Sequence, residues 1–317
     1  SLYSSDNLTA FSNIQISNTN SSNVKITGNL LSLPFTEVVQ TRQPFASKVV
    51  NINPFNIITW SGVIDLNPAR DTWHIVQRQT VNHWGHGPTT ISTSTTQLPF
   101  IRSRNIAFQA GRLKPNTRFK VLFDRRDLSS TTLNSTVFPK LLEINSNIGS
   151  FQIGETVTCT GSDSKIKSKF RICSPNHKTG PIDSPTAVFA RNPYNPSAGI
   201  SSQYGAQSTF LNIDTETMSR EDVTGLWGKI SVGDTLKGLT SKATARVADN
   251  RLITNEEGFL LGSIWIDKDD QFKTGQTPVD FVLQSPTPRL PGEVEDSNGS
   301  ATYVTEGTLT TITTHVW

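Results

Sequence analysis

Residues 153–170 read IGETVTCTGSDSKIKSKF, and residues 232–247 read VGDTLKGLTSKATARV. In the first stretch and the two residues after it, Ile166, Phe170 and Ile172 alternate with Lys165, Lys167, Lys169 and Arg171. Side chains on an extended chain point to opposite faces at every second residue, so this is a strand with one apolar and one basic face. Upstream, Val157 and Cys159 alternate with Thr156, Thr158 and Thr160. The GSDS at 161–164 supplies Gly, Asp and Ser, which tolerate or hydrogen-bond a tight backbone, and the whole segment predicts a β-hairpin. The second stretch repeats it: Gly233 answers Gly154, Asp234 answers Glu155, Thr235 answers Thr156 and Leu236 answers Val157. With a two-residue deletion at the turn, Lys242, Ala243, Arg246 and Val247 answer Lys165, Ile166, Lys169 and Phe170. A lone hairpin is marginal in water, so each copy is expected in a small sheet or barrel, the two packing together.

The rest of the chain agrees with an all-β protein. It has 317 residues, 34% hydrophobic and only 17% charged, enough apolar content for real cores and too little Glu and Lys for many solvent-facing helices. Residues 100–124, FIRSRNIAFQAGRLKPNTRFKVLFD, predict two strands, Ile101 to Ala110 and Thr117 to Phe123, about a GRLKPNT turn. RLITNEEGFLLGSIWI at 251–266 predicts a hairpin about NEEG, and FKTGQTPVDFVLQ at 272–284 another strand entry. One short helix is expected near Ser219 and Asp222, in a capping arrangement before VTGLWG.

The expected fold is therefore an immunoglobulin-like sandwich (96–145 plus 248–317), interrupted by an inserted duplicated β module (146–247, copies near 151–173 and 230–248). Before it come a polar linker or edge strand (1–30) and an extended β segment (31–95), in which Pro34, Pro44, Pro54 and Pro68 punctuate short apolar runs. Within the latter, GPTTISTSTTQLP at 87–99 reads as a linker or polar strand.

Chemistry-bearing clusters are few. WHIVQRQTVNHWGHG at 73–87 gathers Trp73, His83, Trp84 and His86. Gly85 and Gly87 favour a loop over the helix that a shared metal would need, so a packed subunit contact or core is expected there, with sugar stacking as the alternative, and no metal. The basic hairpin face of Lys165, Lys167, Lys169 and Arg171 reads as a solvated edge that blocks sheet addition, with an anionic partner as the alternative. DKDD at 267–270 lacks the glycine and distal glutamate of a calcium loop and reads as a turn. Cys159 and Cys173 are expected as free thiols. No phosphate loop, nucleophile elbow or cofactor motif appears, so no enzyme and no cofactor are expected. A net charge of +3 predicts no nucleic-acid partner, and no apolar run predicts membrane insertion. Ser1 in place of Met suggests a piece of a longer polypeptide.

Three blocks carry a family resemblance: LPFTEVVQTRQPFASKVVNINPFNIITWSGVIDLNP at 33–68, RSRNIAFQAGRLKPNTRFKVLFD at 102–124, and GFLLGSIWI with FKTGQTPVDFVL at 258–283. In this order they resemble large virion structural proteins of tailed bacteriophages, especially contractile-tailed phages of cyanobacteria. The resemblance implies a non-enzymatic tail, baseplate or fibre component in the virion, assembled in the host cytoplasm. Its partners would be copies of itself and other virion proteins. The alternative is an adhesin-like module that binds a host-surface glycan or polysaccharide.

Overall fold

The computed structural model describes residues 25–27, 30–32, 60–275, 278–285 and 297–317. The chain divides into two units, Ser1–Asn56 and Ile57–Trp317. In the first, β1 (Lys25–Thr27) pairs antiparallel with β2 (Leu30–Ser32). Pro34, Pro44 and Pro54 and their apolar runs lie outside the described residues, as does most of the expected 1–30 linker.

The second unit is mostly β and holds two cores. Its body begins with β3 (Trp60–Asn67), β4 (Arg70–Asn82), β5 (Thr90–Gln97), β6 (Arg104–Gly111), β7 (Arg118–Phe123), β8 (Arg126–Asp127) and β9 (Thr136–Pro139). Then the chain enters a barrel: β10 (Leu141–Ile148), β11 (Thr156–Thr160) and β12 (Ile166–Cys173). Four short strands form two small ribbons, β13 (His177–Thr179) with β14 (Ala187–Val188), and β15 (Arg191–Asn192) with β16 (Asn195–Gly199). The barrel resumes with β17 (Phe210–Ile213), β18 (Trp227–Gly228), β19 (Thr235–Gly238) and β20 (Thr244–Asp249). The body is completed by β21 (Leu252–Ile253), β22 (Leu260–Ile266), β23 (Val279–Gln284) and β24 (Ser297–Val316).

In the body, one mixed sheet runs β21-β7-β23-β24-β3-β6-β22-β9 and folds around a shared core. Phe119, Val121 and Phe123 of β7 meet Ile264 and Ile266 of β22 there, with Phe272, Phe281 and Tyr303 fully buried among them. The sheet is mixed because β24 runs parallel to β3, while the other body pairs are antiparallel. The NEEG segment is not the centre of a hairpin. Leu252 pairs with Phe119 and Leu260 with Ala110, so β21 and β22 leave the turn for different neighbours. The turn itself is held locally, because the Asn255 side chain accepts from the amides of Glu257 and Phe259.

Both hairpins of the repeated pattern lie in a closed six-stranded barrel of order β11-β19-β20-β10-β17-β12, with β12 returning to β11. Exchanging the set β10, β11, β12 for the set β17, β19, β20 leaves this order unchanged. The barrel therefore has topological two-fold symmetry, and the copies touch directly: Val157 faces Gly238 and Cys159 faces Leu236. Closure leaves no free edge among the six strands, and their inward residues, Val157, Cys159, Phe170, Ile172, Leu211, Ile213, Leu236 and Val247, form a second core. The barrel begins at Leu141, a few residues before the sequence-based boundary, since β10 pairs with β17 from its first residue.

The hairpin correspondence also shifts. Thr156 pairs with Arg171 as Thr235 pairs with Arg246, and Val157 with Phe170 as Leu236 with Ala245. Phe170 thus answers Ala245, and Val247 answers Ile172. The alternation read from sequence is blind to this, because a slip of two residues returns every side chain to its original face.

The expected helix is two single turns, α1 (Thr215–Met218) and α2 (Glu221–Thr224). Ser219 does not cap: Arg220 is the N-cap of α2 and makes no side-chain cap bond, while the Ser219 hydroxyl donates back to Glu216 O.

Candidate functional site: an open three-stranded blade

The long strand β24 does two jobs. Its first residues, 297–303, sit in the body between β3 and β23. From Val304 onward it becomes the middle strand of a separate ribbon, parallel to β4 and antiparallel to β5. Thirteen residues at ~3.3 Å rise make this blade roughly 43 Å long.

The root is anchored by charge and by a close approach. Asp71 is buried and binds Arg102 at 2.7 and 2.8 Å and Arg104 at 2.7 Å. Trp73 packs flat over Gly307, where any Cβ would lie 2.3 Å from the indole, and the Arg102 guanidinium covers that ring at 5.5 Å. Trp73 is therefore buried packing. Beyond this root β5 is exposed throughout, and β4 is exposed from His74 on.

Register assigns the faces. One carries Ile75, Gln77, Gln79 and Val81 beside Leu309, Thr311, Thr313 and His315, and Ser92 and Ser94 of β5. The opposite face carries His74, Val76, Arg78 and Thr80 beside Thr308, Thr310, Ile312 and Thr314, with Ile91, Thr93 and Thr95. Cross-strand polar pairs fix the ribbon: His74 Nδ1 with Thr308 Oγ1 at 2.7 Å, Gln79 Nε2 donating to Thr313 Oγ1 at 2.9 Å, and Thr95 with Thr310 at 3.0 Å.

At the tip, a loop rather than a helix joins β4 to β5. His83 stacks on Trp317 at 4.0 Å between centroids, and its Nε2 lies 3.0 Å from His315 Nδ1, which shares Ser92 on its other nitrogen. Trp84 is fully exposed at 106%, and His86 is exposed beside it. The structure thus brings His83 together with His315 and Trp317, a pairing from opposite ends of the unit that no local spacing announces. It leaves Trp84 and His86 outside that stack.

The basic hairpin face lies elsewhere, on the barrel. Lys167 binds Asp234 at 2.8 and 2.9 Å, and Arg171 binds Asp214 at 2.9 and 3.1 Å. Two of its four cations are thus consumed in intramolecular pairs; Lys165 sits exposed at the turn and Lys169 is half-buried. Cys159 and Cys173 are free and buried. Burial, with Asp234 beside it, pushes the Cys159 thiol up to about 12.

Sequence reasoning passed over Asn105, which joins barrel to body. Its amide donates to Gly228 O at 2.8 Å and accepts from Gly228 N at 2.9 Å, acting as a substitute backbone partner for β18. A concavity of about 610 Å³ near this seam is lined by Lys140, Arg171, His177, Asp214, Glu216 and Arg220. Burial, then the charge of Lys140, lowers the His177 pKa from its usual value. Among the described residues no group of three or more His, Cys, Asp or Glu is placed to hold a metal ion, and no helix is long and apolar enough to cross a membrane.

Residues 5–81 match the model of a domain of unknown function, DUF4815, a stretch that ends within β4 at the blade. No curated protein and no solved structure matches the chain.

Proposed function

We propose that this chain is a non-enzymatic structural component of a tailed-phage virion, in the tail, baseplate or fibre, working through subunit interfaces. One observation carries the assembly reading: among the described residues, the blade is a ribbon with both faces and both outer edges open. A three-stranded ribbon without a covered face is barely stable in water, so a sequence that keeps one this long is built to be covered. Its edge strands bear little of the usual protection, since HIVQRQTVN and TISTSTTQ contain no proline and no lysine, and Arg78 is the one permanently charged residue in them. In fold terms we read the body as an interrupted immunoglobulin-like sandwich, with the two-copy barrel as its insertion. The virion placement rests on the resemblance of the three sequence blocks. Peptide mapping and antibody labelling of purified particles test it: a fixed copy number per particle is expected, and absence from washed particles would sink it.

A second reading is favoured by Trp84, a fully exposed indole at the blade tip beside His86. Exposed aromatics stack on sugar rings, so the tip would bind a host-surface glycan. Binding on a glycan array that disappears with Trp84→Ala would support this reading, and silence across cell-surface polysaccharides would remove it.

A further inference from the structure

We infer that the blade is covered by blades of other copies of this same chain, face against face, through the surface of Val76, Ile312, Ile91 and Val316. This rests on the assembly reading above and adds to it the partner and the face. The register places Val76 beside Thr310 and Ile91 beside Thr314, so the two apolar edge residues bracket Ile312 diagonally on the central strand, with Val316 next along it. Such diagonal neighbours lie about 7 Å apart, within reach of one another's side chains, and form one continuous apolar strip. Val76 is 51% and Ile91 70% exposed, which for buried-type side chains on a strand is an unfilled contact.

The opposite face differs. Its apolar residues, Ile75 beside Leu309 at one end and Val81 at the other, are separated by a polar middle in which Gln79 pairs with Thr313 and Ser92 with His315, so it offers no continuous apolar strip.

The chemistry of the strip selects its partner. On this face Arg70 and Glu306 lie at the root, one of each sign, and Arg78 is the one permanently charged side chain beyond it. A surface so poor in charge offers nothing to a strongly acidic or basic partner, whereas a second identical strip meets it with apolar groups opposite apolar groups and threonine hydroxyls opposite threonine hydroxyls. Arg78 lies on an edge strand, where its stem can cover apolar surface while its head stays wet. The area is of the right order: three strands about 4.8 Å apart over the eight residues that β5 pairs, and two over the other five, present roughly 540 Å² of projected face, against the ~800 Å² that each partner buries in a stable interface.

The test is the oligomeric state of the full chain by sedimentation equilibrium, comparing wild type with Ile312→Asp and Thr311→Asp, adjacent residues on opposite faces. Wild type and Thr311→Asp are expected to associate alike, while Ile312→Asp weakens association about 100-fold or more by burying a carboxylate in the contact. Far-UV circular dichroism should be the same for all three. As an independent readout, Ile91→Cys treated with a short bis-maleimide should yield covalent dimers and Thr311→Cys should not, with no background from Cys159 and Cys173, which are buried. A monomeric wild type, or equal effects of the two aspartates, overturns the inference. Either result obtained for a chain that is present in purified particles would leave the virion reading standing, so the two failures are distinguishable.

Discussion

Gly154 and Gly233 occupy the same place in the two halves of the barrel: their φ angles are 85° and 88°, and their amides donate to Ile172 O at 2.8 Å and to Val247 O at 2.9 Å. The equivalence continues into the next residue. Ile172 N donates to Glu155 O and Val247 N to Asp234 O, and each acid's side chain accepts from the amide three residues earlier, Gln152 and Ser231, at 2.8 Å. Two chain segments whose glycines stand 79 positions apart therefore build one motif twice, and each acid then reaches into the other copy.

Replacing either glycine with alanine should cost about 1 kcal/mol, because a Cβ is disfavoured at positive φ. Gly233 has no atom within 4 Å of where that Cβ would be, so its loss reports backbone strain alone. Urea denaturation of Gly154→Ala and Gly233→Ala should show similar drops; a neutral Gly233→Ala would contradict the equivalence.

Glu155 is buried and ties the first copy to the turn of the second, accepting from Thr240 N and Ser241 N at 3.0 Å and from Ser241 Oγ at 2.7 Å. Glu155→Ala leaves those donors unpaired and should destabilise by about 2 to 3 kcal/mol. Amide hydrogen exchange should accelerate first at Thr240 and Ser241, before the rest of the barrel.

Cys159 faces Asp234 in the barrel interior, and Cys173 is likewise raised by burial. The reactive thiolate is thus scarce at neutral pH. Native protein at pH 8 should not react with a thiol-specific reagent over an hour, and both thiols should react once denaturant is added.

Asp71 bridges Arg102 and Arg104 in ion pairs at the blade root. Asp71→Ala removes the ion-pair partner of Arg104, whose side chain is only 12% exposed and keeps its bond to Ser219 O, and should cost about 3 kcal/mol, with the better-solvated Arg102 contributing little. Thermal melting and the Trp73 environment, read by fluorescence, should change together.

Asp270 is held below the usual carboxylate pKa: burial works against ionisation, but bonds from Ser135 Oγ and from the amides of Asn134 and Ser135 outweigh it, with help from Arg126. A group whose folded pKa is depressed adds stability that is complete above its unfolded pKa and disappears as pH falls through the folded one. Stability should therefore decline below about pH 4, and Asp270→Asn should flatten that limb when unfolding is followed against pH.

Sequence alone determined what a period of two residues can report. The alternation at 165–172, the turn residues of GSDS and the glycine-acid pairs revealed strands, faces and a repeated unit, because these depend on neighbours within a few bonds. Which strand lies beside which was settled only by the fold. The two-residue slip between Phe170 and its true counterpart Ala245, the separation of β21 from β22, and the closure of six strands into a barrel are long-range matters on which local alternation is silent. The blade shows the same limit most plainly. TISTSTTQ reads as linker or polar strand from its composition, and only its placement beside a β24 that outruns the body turns it into an uncovered surface. Exposure belongs to the packed chain, since it depends on what else arrives at a residue's face and not on the residue itself.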